Sequence, residues 1–337
     1  MPSSQTDLFY RLTPDEIIDA VIKLGLEPSG HISQLNSMEN RVFDLRLEDG
    51  SHIVTKFYRP GRWMREQILE EHHFLFALTG NDVPVLAPLR FGEQSLFEEQ
   101  GICFALWPRT GGREPEELNT IDLQILGRLV ARLHNTGASG EMHYRPAFSA
   151  ERYLAEPLRS LQEGNFLQAG FRAEYEELVA LLADEWRNRS ANHPHQRIHG
   201  DLHKGNMLHG SEGWFLLDFD DSLTGPPLQD VWMMFSGRPQ HERDVFLDAY
   251  REFRDFDERW LADAEILRAM RIVHYSGWIA RRYDDPAFRS AFPDFASDAY
   301  WEEEIRILRE IIGTLKGYTA EDAQPLSNKD FFFDYDE

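Results

Sequence analysis

The sequence predicts an α+β fold in two lobes, a small β-rich lobe first and a larger helical lobe after it. Two patterns carry that prediction: strand-like runs joined by turn residues crowd the first hundred or so residues, and helical periodicity dominates beyond residue 120. A chain of 337 residues with 42% hydrophobic content is long enough to build both cores.

Residues 41–47 and 52–58 read as strands, separated by Glu48, Asp49, Gly50 and Ser51, and the Asp49, Gly50 pair signals a hairpin. Residues 65–78 place Ile68, Leu69, His72, Leu75, Phe76 and Leu78 mostly three and four apart, which predicts an amphipathic helix. Gly80, Asn81 and Asp82 end it. Strands are expected at 85–91 and 102–107, the second stopped by Pro108 and the pair Gly111, Gly112. The order β, β, α, β, β then sets a lobe boundary near Gly111, giving lobes of residues 1–110 and 111–337. In the second lobe helices are expected at 121–134, 150–162, 171–187, 227–235, 242–253, 261–283 and 300–315. The tail, residues 331–337, mixes aromatic and acidic side chains and reads as either a frayed end or a docked one.

Charge narrows the function. Lys and Arg total 35 against 58 Asp and Glu, a net charge of −23, which repels a nucleic-acid backbone and excludes a basic-surface binder. The single cysteine, Cys103, lies in an apolar run and is expected to be buried and inert. No apolar run of about 18 residues suggests a membrane span, and no secretory pattern opens the chain, so a cytoplasmic protein is expected.

The chemistry concentrates in residues 198–208, IHGDLHKGNML, where a turn glycine, a carboxylate, two histidines, a lysine and an amide sit between apolar anchors. Asp201 and Asn206 are five apart, and Asp218 follows the apolar run Trp214, Phe215, Leu216, Leu217. Phosphoryl transfer needs a carboxylate near the attacking hydroxyl and oxygen ligands for Mg²⁺, and these three residues are of those types. Four residues between the carboxylate and the amide is the spacing of a kinase catalytic loop. Taken singly, either residue would read as a turn or cap. His199 reads as a packed residue holding the loop, and a zinc site of His193, His195, His199 and His203 follows no familiar ligand spacing.

HGDLHKGN followed by LLDFDD resembles the aminoglycoside-phosphotransferase and choline-kinase branch of the protein-kinase-like superfamily. The wider set LNSMENRV, VTKFYRPGRW, ILEEH, LLDFDDSLTGPPLQDVWMM and RRYDDPAF is more closely similar to a bacterial family of stress-response serine/threonine protein kinases. The resemblance spans roughly residues 10–315. It implies a two-lobed protein-kinase-like fold, small β-rich lobe and larger helical lobe, with ATP between them.

It also implies roles. Asp201 would be the catalytic base or hydroxyl-orienting group, with Asn206 and Asp218 holding Mg²⁺ and Asp218 counted with Asp201 as catalytic. Lys56 would contact the α and β phosphates, paired with Glu71, with Glu70 as the competing partner. Asn36 and Ser37, in a loop over residues 35–42, would touch ATP through side chains, because no glycine lies between Gly30 and Gly50. The adenine would lie against residues 104–108, with Phe104 and Trp107 lining it. His203 stands where protein kinases commonly carry lysine, and Lys204, one further on, either reaches the γ phosphate or stands solvated. Asp230 would brace the catalytic loop, or else complement a helix start. Arg281 and Arg282 would meet an acidic substrate segment or complement a helix end.

The implied activity is a monomeric serine/threonine protein kinase acting with ATP and Mg²⁺ on a protein hydroxyl, with no nucleic-acid or membrane partner. The competing readings are a small-molecule kinase of aminoglycoside, choline or homoserine type and a catalytically silent ATP-binding scaffold.

Overall fold

The computed structural model describes residues 4–315; the aromatic acidic tail lies outside the described residues. Two helices lead in, α1 (Ser4–Arg11) and α2 (Pro14–Ile22), the second opened by a capping box in which Thr13 and Glu16 bond each other's backbone N–H. Then come β1 (Pro28–Leu35), β2 (Arg41–Leu47), β3 (His52–Phe57), α3 (Arg65–Gly80), β4 (Phe97–Glu99) and β5 (Ile102–Pro108). The strands form an antiparallel sheet in the order β1-β2-β3-β5-β4. Its hairpin turns where expected: Gly50 has φ +85, and Asp49 Oδ1 accepts the Ser51 N–H at 2.9 Å.

The sheet's two faces do different work. Phe43, Leu45, Ile53, Phe57, Phe104 and Leu106 bury one face against α2. Alternation puts Val42, Val54, Lys56, Ala105 and Trp107 on the other, since β3 pairs Lys56 with Ala105 and Val54 with Trp107. Cys103 shares this second face and is half-buried rather than buried; burial pushes its thiol pKa up.

Residues 85–91 were expected as a strand and do not form one. Pro88 lacks an N–H and Pro84 precedes the run, so the segment cannot ladder continuously. It makes single contacts to both sides instead: Leu89 N–H donates to Leu106 O at 2.6 Å, and Leu216 N–H donates to Pro84 O at 2.9 Å.

The remainder is largely helical: α4 (Thr120–Ala138), α5 (Glu156–Glu163) after one π turn at Glu151–Ala155, and α6 (Ala169–Arg189). Four short strands interrupt it, β6 (Gln196–Ile198), β7 (Met207–Gly210), β8 (Gly213–Leu216) and β9 (Leu223–Gly225). Finally come α7 (Leu228–Phe235), α8 (Gln240–Arg251), α9 (Ala264–Arg282), α10 (Pro286–Ala291) and α11 (Asp298–Leu315). Their apolar faces make one large core that also takes Phe74, Leu75 and Leu78 from α3, while Ile68 and Leu69 of α3 pack toward the sheet. One helix is thus anchored in both halves of the molecule. Among the described residues no helix is long and apolar enough to cross a membrane.

Candidate active site

The loop between β6 and β7 carries the densest chemistry, and three interactions tie it to the segment after β8. Met207 pairs with Leu216, Leu217 N–H donates to Asn206 O at 2.8 Å, and His199 Nε2 lies 2.7 Å from Leu217 O. A carbonyl only accepts, so Nε2 of His199 carries the proton and Nδ1 is left to accept the Asp201 N–H at 3.3 Å. His199 is therefore a fully buried strut of the loop. Asn206 Nδ2 donates to Asp201 O at 2.9 Å, which turns its Oδ1 away as a free oxygen donor.

Asp230 anchors the loop from below. Its carboxylate, fully buried at the start of α7, accepts the N–H groups of His199 at 2.9 Å and Gly200 at 2.8 Å, and lies 3.1 Å from His134 Nε2. Gly200 has φ +86, and a Cβ there would stand 2.4 Å from Asp221 O, so the turn admits only glycine.

Asp218 also has left-handed backbone, φ 52 and ψ 67, a conformation a non-glycine residue holds only when its surroundings enforce it. That turn aims its half-exposed carboxylate at the sheet, where Lys56 Nζ meets Oδ1 at 3.2 Å. Lys56 also lies 3.2 Å from Asp220 Oδ1 and 3.9 Å from Glu71 Oε1. Burial works against its charge, but Asp218, Asp220 and Glu71 outweigh it and hold the ammonium pKa above its ordinary value.

Glu71 is buried and its closest partner is Arg145 Nη2, at 2.8 Å. Burial pushes its carboxyl up, against the pull of Lys56 and Arg145, to about 7. Glu70 does something else: it accepts the backbone N–H groups of His143, Tyr144 and Arg145 and so fixes the loop that delivers Arg145.

Asp220 was not singled out from the sequence. It is buried between Lys56, Arg62 and Asn40, whose Nδ2 donates to Oδ2 at 3.0 Å. Burial raises its carboxyl pKa, and Arg62, Lys56 and Arg145 overturn that effect and hold it well below the usual carboxylate range. Its signal was the second aspartate in LLDFDD. Arg271, from α9, was missed too: Nη1 lies 2.5 Å from Asp201 Oδ1, while His203 Nε2 lies 3.6 Å from Oδ2. Burial opposes the Asp201 charge, but Arg271 and then His203 hold its pKa well below the ordinary value.

The remaining expected residues divide. Trp107 shares the Lys56 face, with Nζ 5.9 Å from its ring. Phe104 lies on the opposite face, buried and stacked on Phe57 at 4.9 Å, in the sheet's own core. Asn36 is exposed in the β1–β2 loop, and Ser37 Oγ accepts the Asn40 N–H at 3.2 Å, so neither is bonded to Lys56, Asp201 or Asp218 among the described residues. His193 Nε2 lies 2.8 Å from Asp263, and no group of three or more His, Cys, Asp or Glu among the described residues is arranged to hold a metal. Asn206 Oδ1 and the Asp218 carboxylate do fit Mg²⁺, which takes few protein oxygens and completes its shell from phosphates and water.

A sequence model of the Phosphotransferase enzyme family matches residues 31–264. Stress response kinase A from Shigella flexneri is 38% identical over 300 residues, covering 87% of this chain and 90% of that protein. A protein from Salmonella typhimurium described as Serine/threonine protein kinase RdoA is 37% identical over 316 residues, covering 90% and 95%. Among solved structures, amicoumacin kinase hAmiN in complex with AMP-PNP, Ca2+ and Ami superposes with a TM-score of 0.72 at 18% identity, covering 91% of this chain and 96% of that one. The microcompartment-associated aminopropanol kinase gives 0.65 at 19%, covering 89% and 96%. The chain belongs to the phosphotransferase enzyme family and has its protein-kinase-like fold.

Proposed function

We propose that this member of the phosphotransferase family is an ATP-dependent serine/threonine protein kinase of the bacterial stress response, with residues 1–110 holding the nucleotide and 111–337 carrying catalysis and substrate. The observation that carries the reading is one continuous arrangement: Lys56 on Asp218, Asp218 tied through Leu217 to the loop of Asp201 and Asn206. The relative described as a serine/threonine protein kinase, 37% identical over 316 residues, supports the choice of acceptor.

In this reading the nucleotide base lies on the Lys56 face of the sheet, against Val42, Val54 and Trp107 rather than Phe104. Lys56, kept protonated by three carboxylates, pairs with the α and β phosphates. Asn206 and Asp218 would hold Mg²⁺, which when bound neutralises charge on the phosphates. Asp201 accepts a hydrogen bond from the acceptor hydroxyl and aims its oxygen at the γ phosphate. With Arg271 holding its pKa low, Asp201 is a weak base that orients the hydroxyl and takes its proton late. A loose transition state asks for that: positioning contributes more than early deprotonation.

The test is transfer from labelled ATP with Mg²⁺, wild type against Asp201→Ala, on the protein itself, a generic protein and a panel of small hydroxyl compounds. Label on serine or threonine that the variant loses is expected. Label on a small molecule alone would favour the small-molecule reading, and undiminished label in the variant would remove Asp201 from the mechanism.

A further inference from the structure

Beside Asp201, in this acidic protein, a row of basic and aromatic side chains follows one side of a helix. Helix α9 presents Arg271, His274, Trp278 and Arg281 at helical spacing on one side. Arg271 meets Asp201 at one end of the row, and at the other Trp278 and Arg282 bond Glu39 of the β1–β2 loop. From Arg271 to Arg281 the helix rises about 15 Å. The π turn at Glu151–Ala155 packs directly against this row: Arg152 O lies 3.3 Å from His274 Nδ1, and the Tyr153 ring centroid lies 4.6 Å from that of His274.

Two guanidiniums here, Arg152 and Arg281, make no ion pair among the described residues. Arg152 rests over the Trp63 ring at 5.3 Å with its Nε buried and unbonded. Arg281 is only partly exposed, with Arg282 and Arg152 for neighbours. Two carboxylates act on Arg281 without pairing with it: Glu39, bound by Arg59 and Arg282, and Glu156, which is exposed. Burial and the two neighbouring cations press the Arg281 pKa down to about 10. Burial, Arg152 and Arg281 hold the His274 pKa well below its ordinary value. Like charges gathered this closely are stabilised when an anion enters between them.

We infer that these cations receive an anionic segment of the acceptor, so that the preferred substrate is a peptide with acidic side chains close to the hydroxyl presented to Asp201. The inference rests on the protein-kinase reading and narrows it. The rise of about 15 Å from Arg271 to Arg281 matches about four or five extended residues, which sets how far from the hydroxyl the acidic positions reach. A cationic acceptor is disfavoured beside these cations, although the net charge of −23 alone would favour one.

The experiment uses the full chain with MgATP and three serine peptides of equal length, flanked on one side by acidic, neutral or basic residues. An advantage of about tenfold or more in kcat/KM for the acidic peptide over the neutral one, carried by KM and shrinking with salt, is expected. Arg152→Gln with Arg281→Gln brings the acidic-to-neutral ratio near one. Arg281→Glu shifts preference toward the basic peptide, a reversal that general destabilisation does not produce. Equal use of all three peptides, or an acidic preference retained in the double variant, would overturn the inference and leave the protein-kinase reading standing. Transfer to small hydroxyl compounds with none to any peptide would overturn both.

Discussion

The two sides of the cleft are held in different ways. The Asp201 loop rests on hydrogen bonds from its own backbone to one buried carboxylate, Asp230, with His199 as a neutral strut. Lys56 sits instead in a web of charges, Glu71, Asp218, Asp220, Arg62 and Arg145, drawn from distant parts of the chain. The first arrangement fixes the backbone of the loop, and Arg271 alone pairs closely with the Asp201 side chain. The second fixes charge where phosphates are to be received. Hydrogen bonds set where Asp201 points, and balanced ion pairs keep a buried lysine protonated.

Breaking the charge web has the larger expected effect on stability. Arg145→Met leaves Glu71 buried with only Lys56 at 3.9 Å, and removing one partner of a buried pair costs about 3–5 kcal/mol. Urea denaturation measures it, and a loss under about 1 kcal/mol would mean that water reaches Glu71 freely. Asp230→Asn comes next. It weakens the acceptor of two loop N–H groups and turns an amide donor toward one of them, for about 2–3 kcal/mol together with slower transfer. Stability lost with turnover intact would show that the loop does not depend on this brace.

The smallest effect sharpens the comparison through pH. The carboxyl of Asp201 is held low, so in the wild type it stays ionised as pH falls through the ordinary carboxylate range, and transfer has no acid limb from it there. Arg271→Leu removes the main opposite charge, so the Asp201 pKa rises and an acid limb in kcat moves up toward neutral pH. A profile unchanged by that substitution would separate Arg271 from Asp201.

The same contrast explains what the sequence made legible. Asp201, Asn206 and Asp218 fall within eighteen consecutive residues whose glycine, strand and turn pattern sets their relative places. The hairpin, α3 and the long helices followed from turn chemistry and periodicity. Asp220 meets Arg145, Arg62 and Asn40 across sequence separations of 75 to 180 residues, and no local pattern encodes such meetings. Phe104 could not be separated from Trp107 until strand register showed which face each occupies. Strand β1 was missed because an edge strand with no fully buried residue shows no alternation, and residues 85–91 were misread because apolar content outweighed two prolines.

The most direct test of the central claim, that Asp201 directs the hydroxyl while Lys56, Asn206 and Asp218 hold the nucleotide, is to measure MgATP binding and single-turnover transfer together on Asp201→Asn. Binding within about twofold of wild type with transfer reduced about 10²- to 10⁴-fold is predicted. Transfer that survives, or binding that collapses along with it, would contradict that division of labour.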